Sequence, residues 1–280
     1  MSNILKLGTR KTPTQGNGGI STGCIALYPC HQATTDNTLT DTSGNGYTAQ
    51  AGAALVPATA FVSPQGITTA EAASTDTTCY LPLAQYNYSY NANESLLWHT
   101  RVKLTAIPAA TKPLIAQGGN NASAPGLRLN VMNTGLVAWA LDHAGGTVFS
   151  ANTEVAGPAN DGKLDTNWRS VMLAMWALDK SAGTASYGIW IDGKYAFNAT
   201  GAKSATGLPA SVTPTEGVRL GQYYRSSGPT TASIGGLHSY AHLYRAPSAV
   251  THTLAQMDAL AKRLAKFPGL PLNSVEWPMT

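Results

Sequence analysis

Two patterns of apolar residues organise this chain, one with the period of a β-strand and one with the period of a helix. Between residues 96 and 104 apolar side chains alternate with His99, Arg101 and Lys103, as in a strand with one face in the core and one in solvent. The segment 168–178 is apolar at both parities. We predict that it is a central strand, covered on its second face by a loop, the terminal helix or another subunit.

Glycine turns separate further strand-like segments in the second half of the chain. Asp192-Gly193 has the composition of a tight hairpin turn and follows the apolar segment 187–191. Shorter segments follow at 195–198, 217–221 and 234–244. No catalytic motif interrupts them, and their order predicts consecutive antiparallel strands of a sandwich.

A helical pattern closes the chain. Four apolar residues recur there at helical spacing: Leu254, Met257, Ala261 and Leu264. We predict a helix over 248–266, with Ser248 as its N-cap and Pro268-Gly269 as its stop. Its apolar stripe is expected to pack onto the sandwich.

Several motifs occur in an order that is typical of one family. Leu27-Tyr28-Pro29 precedes the loop Asp41-Thr-Ser-Gly-Asn-Gly46, and the Asp-Gly-Lys turn at 192–194 precedes Val-x-Leu-Gly at 218–221 and Gly-Leu-x-x-Tyr at 236–240. This order resembles the laminin-G-like, concanavalin-A-like jelly roll. The long strand at 96–104 and the hairpin formed by 127–131 and 137–141 extend the resemblance, which covers residues 23 to 250.

The resemblance implies an all-β fold, an antiparallel jelly-roll sandwich with an N-terminal extended arm and a C-terminal helix. We expect the arm at residues 1–22, the sandwich at 23–248, and the helix and tail at 249–280. Because this sandwich serves lectins, glycosidases, adhesion modules and viral structural domains, the resemblance alone does not choose among functions.

The composition narrows the choice among these functional classes. Only 11% of the residues are charged, whereas globular proteins have about 25%, so Ser, Thr, Asn, Gln, Gly and Ala must form much of the surface. This favours a protein packed against neighbours over a freely diffusing enzyme. The net charge of +4 is spread too widely for a nucleic-acid-binding face.

The one basic cluster lies near the N terminus, at Lys6, Arg10 and Lys11. The adjoining segment 12–19 cannot pack a core of its own. It is either a disordered leader or an arm that orders on a partner subunit. No aromatic residues interleave with the basic ones, which argues against stacking on single-stranded nucleic acid.

The cysteines and the N terminus indicate where the protein is made. Three cysteines (Cys24, Cys30 and Cys79) form no disulfide framework and have no zinc-site spacing, so we expect a reducing site of synthesis. The first residues lack a signal peptide, and no apolar stretch is long enough to span a membrane. We expect synthesis in a host bacterial cytoplasm and release within a virus particle.

These observations lead to our main functional expectation, a non-enzymatic structural or decoration protein of a bacteriophage virion. The arm and the polar sandwich edges would dock on capsid or tail proteins, in a homo-oligomer or a lattice. Outward loops would contact host surface glycans. We expect neither nucleic acid nor membrane as a partner.

An enzyme is not expected. Glycosidases on this fold place two carboxylates on one strand face, and the chain has no Glu-x-Asp-x-Glu type of run and no Gly-x-Ser-x-Gly elbow. His238 and His242 are four residues apart, which on a strand puts them on one face and not in the geometry of a zinc protease. A glycoside hydrolase is therefore the least favoured interpretation.

The alternative to a virion role is a carbohydrate-binding, lectin-like module for host adhesion. Sugar sites on sandwiches combine aromatic platforms with amide and carboxylate hydrogen bonds, and two groups of residues here have that chemistry: Trp139, Asp142 and His143, and Tyr223, Tyr224 and Arg225. The competing interpretation, that Trp139 is core and the tyrosines lie at an interface, stays open.

The resemblance also implies calcium in loops, with Asp41, Ser43 and Asn45 as oxygen ligands. The chain departs from the family at Gly236-Leu-His-Ser-Tyr240, where related sequences carry Asp-Glu. We expect no other cofactor.

Overall fold

The protein is described here by a computed structural model. It describes residues 23–30, 38–43, 46–47, 49–51, 62–63, 66–69, 79–81, 95–118, 126–143, 146–154, 162–179, 181–209, 217–222, 224–225, 228–229, 234–246 and 252–266. The arm predicted at residues 1–22, with Lys6, Arg10 and Lys11, lies outside the described residues. Asn45 and Tyr223 lie outside them too.

The described chain is built from strands, followed by one helix. The strands are β1 (Gly23–Pro29), β2 (Thr38–Leu39), β3 (Ala49–Ala51), β4 (Val62–Ser63), β5 (Gly66–Thr69), β6 (Cys79–Leu81), β7 (Ser95–Leu104), β8 (Lys112–Gln117), β9 (Gly126–Val131), β10 (Val137–His143), β11 (Gly146–Asn152), β12 (Trp168–Asp179), β13 (Thr184–Ile191), β14 (Lys194–Tyr195), β15 (Lys203–Ala205), β16 (Val218–Leu220), β17 (Tyr224–Arg225), β18 (Gly228–Pro229) and β19 (Gly236–Ala246). The helix is α1 (Leu254–Lys266).

The long strands form two antiparallel sheets that pack face to face. Sheet I has the order β14-β13-β12-β7-β19-β5-β4, with β1 added to β19 and β15 to β13. Sheet II has the order β11-β10-β9-β8-β16-β6-β3-β2. The expected antiparallel sandwich with a C-terminal helix is confirmed, and β9 and β10 form the expected hairpin.

The inner face of sheet I follows the alternation predicted for β7. Leu96, Trp98, Val102 and Leu104 are buried in the core between the two sheets. The opposite face is not wet along its whole length, because His99 is fully buried and its Nε2 lies 2.8 Å from Ser170 Oγ. The prediction of an exposed His99 is wrong because the outer face of sheet I is itself covered along part of its length.

Helix α1 provides much of that cover. Its residues Met257, Leu260, Ala261 and Leu264 form a second apolar cluster with the outward side chains of sheet I, which are Leu97, Met172, Ala174, Trp176, Trp190 and Tyr244. Strand β12 is therefore apolar on both faces because each face lies in a separate core. We predicted that a loop, the terminal helix or another subunit packs on its second face, and in the structure the terminal helix does so.

The helix begins later than predicted. Thr253 and Gln256 form a reciprocal cap, in which Thr253 N donates to Gln256 Oε1 at 2.8 Å and Gln256 N donates to Thr253 Oγ1 at 3.3 Å. Residues 252 and 253 are not helical, so Ser248 is not the N-cap. Within the described residues the helix extends to Lys266, the last residue of the predicted helix. Among the residues that the structure describes, no helix has the length and apolarity needed to cross a membrane.

The predicted hairpin turn at Asp192-Gly193 is present between β13 and β14. Both residues have positive φ angles, 52° and 75°, as a two-residue turn of the hairpin type requires. The Asp192 carboxylate accepts hydrogen bonds from Ser170 N at 2.9 Å and from Arg169 Nη1 at 2.7 Å. The turn is thereby tied to the first residues of β12.

A β-bulge separates the two histidines of β19. The register shifts between His238 and Tyr240, so that His238 pairs with Val102 and position 242 pairs with His99. Val102 and His99 belong to opposite faces of β7, so the prediction that positions 238 and 242 share a face is wrong.

His238 is fully buried. Thr100 Oγ1 donates its proton to Tyr240 O at 3.1 Å and lies 3.2 Å from His238 Nδ1. Because the hydroxyl proton of Thr100 is already used, His238 Nδ1 must carry a proton and donate it to Thr100 Oγ1. Nε2 has no hydrogen-bond partner among the described residues. Burial lowers the pKa of His238 from 6.5 to about 4.

This burial predicts a loss of stability in acid. In the unfolded chain the imidazole takes up a proton near pH 6.5, whereas in the folded chain it does so only near pH 4. Stability attributable to His238 is complete above pH 6.5, falls between pH 6.5 and 4, and is constant below pH 4. The loss is roughly 3 kcal/mol.

Urea denaturation between pH 7 and pH 4 measures this effect. We compare the wild type with His238→Asn, which keeps a side-chain N–H and does not titrate. The wild type is expected to lose more stability than the variant over this range. Parallel profiles would contradict the assignment.

Candidate functional site

Trp139 does not provide a sugar platform. Its side chain is fully buried in the core between the sheets, with ring centroids 4.6 Å from Phe149 and 5.1 Å from Tyr187. An enclosed indole offers no face on which a sugar can stack. Of the two interpretations left open by the sequence, the position of Trp139 fits the core.

Asp142 is occupied by an ion pair. Its carboxylate is fully buried and accepts hydrogen bonds from Arg128 Nε at 2.7 Å, Arg128 Nη2 at 2.9 Å and Thr147 Oγ1 at 2.7 Å. The neighbouring His143 is partly exposed at the end of β10. Asp142 therefore holds the Arg128 guanidinium in a fixed orientation.

The Asp142–Arg128 pair belongs to the outer face of sheet II. Arg128 aligns with Ala116, and Ala116 aligns with Arg219 on the next strand. The side chain of Arg128 is only 12% exposed, and Arg219 is 6% exposed. Both arginines are thus largely shielded from a ligand in solution.

The other predicted residues lie elsewhere. Tyr224 and Arg225 form β17, which pairs with β18 in a separate two-stranded ribbon. The backbone of Tyr224 and Arg225 thus belongs to a different sheet from that of Asp142 and His143.

Asp41 closes its loop through hydrogen bonds. Its Oδ1 accepts from Leu27 N at 3.0 Å and Ser43 N at 2.8 Å. Its Oδ2 accepts from Ser43 Oγ at 2.7 Å and Tyr47 N at 3.1 Å. Because four donors point at the two oxygens, Asp41 and Ser43 are not arranged as calcium ligands. Within the described ranges, no group of three or more His, Cys, Asp or Glu side chains is placed to hold a metal.

Cys30 is a buried thiol near the end of β1. Burial raises its pKa well above the usual range, so the thiol keeps its proton and is a poor nucleophile and metal ligand.

An exposed site occurs instead at one edge of the sandwich, in the loop at residues 196–202 between β14 and β15. Its hollow has a volume of about 600 Å³ and is lined by Phe197, Asn198, Ala199, Thr200, Gly201 and Ala202. Residues 198–201 are exposed. We call this depression the loop hollow.

Backbone and side-chain bonds hold the loop. Tyr195 Oη accepts a hydrogen bond from Lys203 N at 3.1 Å and donates to Gly201 O at 3.2 Å. Burial raises the pKa of Tyr195 to about 12, so its hydroxyl keeps its proton at neutral pH. The two ends of the loop are thus joined through one side chain.

Glu154, beyond the end of β11, connects the loop to sheet II. Glu154 N donates to Ala196 O at 2.9 Å, and Glu154 Oε2 accepts from Asn198 N at 2.9 Å. Glu154 Oε1 lies 2.6 Å from Lys203 Nζ. The loop therefore joins the edges of the two sheets.

A series of aromatic rings lies beneath the loop. Tyr187 contacts Trp139 on one side and Phe197 on the other, and Phe197 contacts Tyr195, with centroid separations between 5.1 and 5.7 Å. The hollow thus presents an exposed amide and hydroxyl next to buried aromatic rings. Because Phe197 and Tyr187 are buried, the hollow offers hydrogen-bonding groups to a sugar and not a face for stacking.

Sequence patterns did not indicate these residues. The run Asn198-Ala-Thr-Gly201 is an ordinary polar connection between strands, and Glu154 is isolated in the sequence. Only the closure of the sandwich brings Glu154 to Lys203, 49 residues away.

No protein-family model and no curated protein sequence match this chain. Solved structures with a similar fold do exist. A sialidase from Trypanosoma rangeli in complex with 2-keto-3-deoxy-D-glycero-D-galacto-2,3-difluoro-nononic acid gives a TM-score of 0.56 at 15% identity, covering 94% of this chain and 36% of the sialidase. This chain thus spans about a third of that enzyme's length.

Two further similar structures are binding domains. The binding domain of Paraclostridial mosquitocidal protein 1 gives a TM-score of 0.50 at 11% identity, covering 87% of this chain and 52% of that one. The CBM40 domain of a Ruminococcus gnavus IT-sialidase, bound to α2,3-sialyllactose, gives a TM-score of 0.42 at 15% identity. The match covers 61% of this chain and 84% of the CBM40 chain. At these identities the likenesses to the sialidase and the toxin domain establish the β-sandwich fold.

Proposed function

We propose that this protein is a glycan-binding, lectin-like module. The observation that carries the proposal is the loop hollow, an exposed depression lined by an amide and a hydroxyl and tied to the Glu154–Lys203 ion pair through Asn198 N. A few convergent polar groups in a concave surface are the means by which proteins orient small polar ligands. The β-sandwich likenesses support this role better than the virion role.

The virion role stays a prediction from composition. Docking on capsid or tail proteins and a location in a virus particle have no support in the similar structures. The absence of catalysis likewise stays a prediction, which turnover assays on bound glycans would test.

A glycan array with the full chain tests the proposal. We expect binding that is lowered at least fivefold by Asn198→Ala/Thr200→Ala, because both side chains are exposed in the loop hollow. The melting temperature should stay within about two degrees, since surface substitutions rarely cost more than about 0.5 kcal/mol each.

The matched control is Asn133→Ala/Thr111→Ala, the same two replacements at exposed positions outside the loop. This variant should bind like the wild type. Equal binding by both double variants would place the site elsewhere, and an array without any bound glycan would refute the function.

A further inference from the structure

We infer that the loop hollow selects an uncharged sugar over an acidic one. This inference rests on the proposed glycan-binding function and specifies the ligand class of the same site. The charges beside the hollow carry the argument, because Glu154 and Lys203 form an ion pair of 2.6 Å with side chains 40% and 30% exposed.

Both members of the pair are held by additional contacts. Glu154 Oε2 accepts from Asn198 N at 2.9 Å. The Lys203 ammonium lies 5.5 Å from the centroid of the Phe197 ring, within the range of a cation–π contact. Hydrogen bonds from Lys203 and Asn198 lower the pKa of Glu154, so the carboxylate is ionised at neutral pH. The pair has no net charge, and each ion already has its partner.

A charged ligand would disturb this arrangement. A sugar carboxylate that approached Lys203 would compete with Glu154 and would lie beside its negative charge. In water, the repulsion by Glu154 offsets the attraction of Lys203, so the sugar carboxylate gains no net electrostatic stabilisation from the pair. A neutral sugar avoids this repulsion, and its hydroxyl groups can bond to the exposed Asn198 amide and Thr200 hydroxyl.

The test compares a hexose with its own uronic acid. The terminal hexose of the strongest array ligand and its C6-oxidised counterpart are titrated into the isotopically labelled full chain, and the amide signals of residues 197–203 are followed. We expect the neutral sugar to bind at least about twofold more tightly, because the uronic acid loses hydration of its carboxylate without gaining a free cation. Equal or tighter binding of the uronic acid, or an array in which only acidic glycans bind, would overturn the inference and leave the glycan-binding function intact. If no glycan binds the chain at all, the proposed function fails.

A charge variant makes the test specific. Glu154→Gln keeps an oxygen for Asn198 N and removes the negative charge, so we expect the uronic acid to gain about fivefold relative to the hexose. Asp179→Asn removes an exposed carboxylate that accepts hydrogen bonds from Ser181 and Ala182, and it should leave the ratio unchanged. An unchanged ratio in Glu154→Gln would contradict the role of the ion pair.

Discussion

Replacing Trp190 by Ala is expected to lower the free energy of unfolding by about 3–5 kcal/mol. Trp190 is fully buried between sheet I and helix α1, and its ring centroid lies 6.3 Å from that of Trp176. Its indole Nε1 donates to Asp258 Oδ1 at 2.5 Å. The substitution therefore creates a cavity in the second core and leaves a helix carboxylate without this donor.

Trp168→Ala is the matched control. Trp168 is partly exposed at the start of β12, and Arg101 lies 5.6 Å from its ring centroid. Loss of that contact should cost about 1 kcal/mol or less. Urea denaturation of both variants measures the two values. Similar losses from the two substitutions would show that Trp190 does not anchor the helix.

Breaking the buried ion pair of sheet II should have a comparable effect. Arg128→Met is expected to cost about 3–5 kcal/mol, because it leaves a buried carboxylate without its cation. Asp142 is fully buried, and Thr147 would be its one remaining side-chain donor among the described contacts. The loss should appear in equilibrium unfolding at neutral pH.

Two further variants show whether the loss comes from the buried charge. Arg128→Met/Asp142→Leu removes both charges and should recover most of the stability, since an apolar pair avoids the cost of a lone buried ion. Arg169→Met breaks two partly exposed pairs, with Asp165 at 2.6 Å and with Asp192 at 2.7 Å, and should cost about 1 kcal/mol or less for each pair. A double variant as unstable as Arg128→Met would show that packing by the arginine stem, and not charge, determines the loss.

Local patterns predicted much of the fold. Strand β12 and the turn at Asp192-Gly193 follow from periodicity and turn chemistry, because these depend on neighbouring residues. His99 was placed in solvent because alternation within one strand cannot show what packs on the outer face of the sheet. The bulge after His238 escaped prediction for a similar reason, since register depends on the partner strand.

The candidate site was less predictable than the fold. Asp142 and Trp139 have the chemistry of a sugar site, but the fold uses the first as the counter-ion of Arg128 and the second as core. Glu154 and Lys203 carry no local motif, and their contact depends on two different sheets meeting at one edge. Residue type alone cannot distinguish a ligand-binding residue from one that the fold uses in its core or in an ion pair.

The position of β19 in sheet I affects synthesis as well as stability. This strand pairs with β1, β5 and β7, so the earliest strand of the sheet waits for one of the latest to leave the ribosome. Until then, β7 and β12 can pair with each other, but the other edge of β7 lacks its partner β19. Contacts so distant in sequence slow folding and leave apolar strands open to association. Premature termination before residue 246 would therefore yield an aggregating chain rather than a smaller folded one.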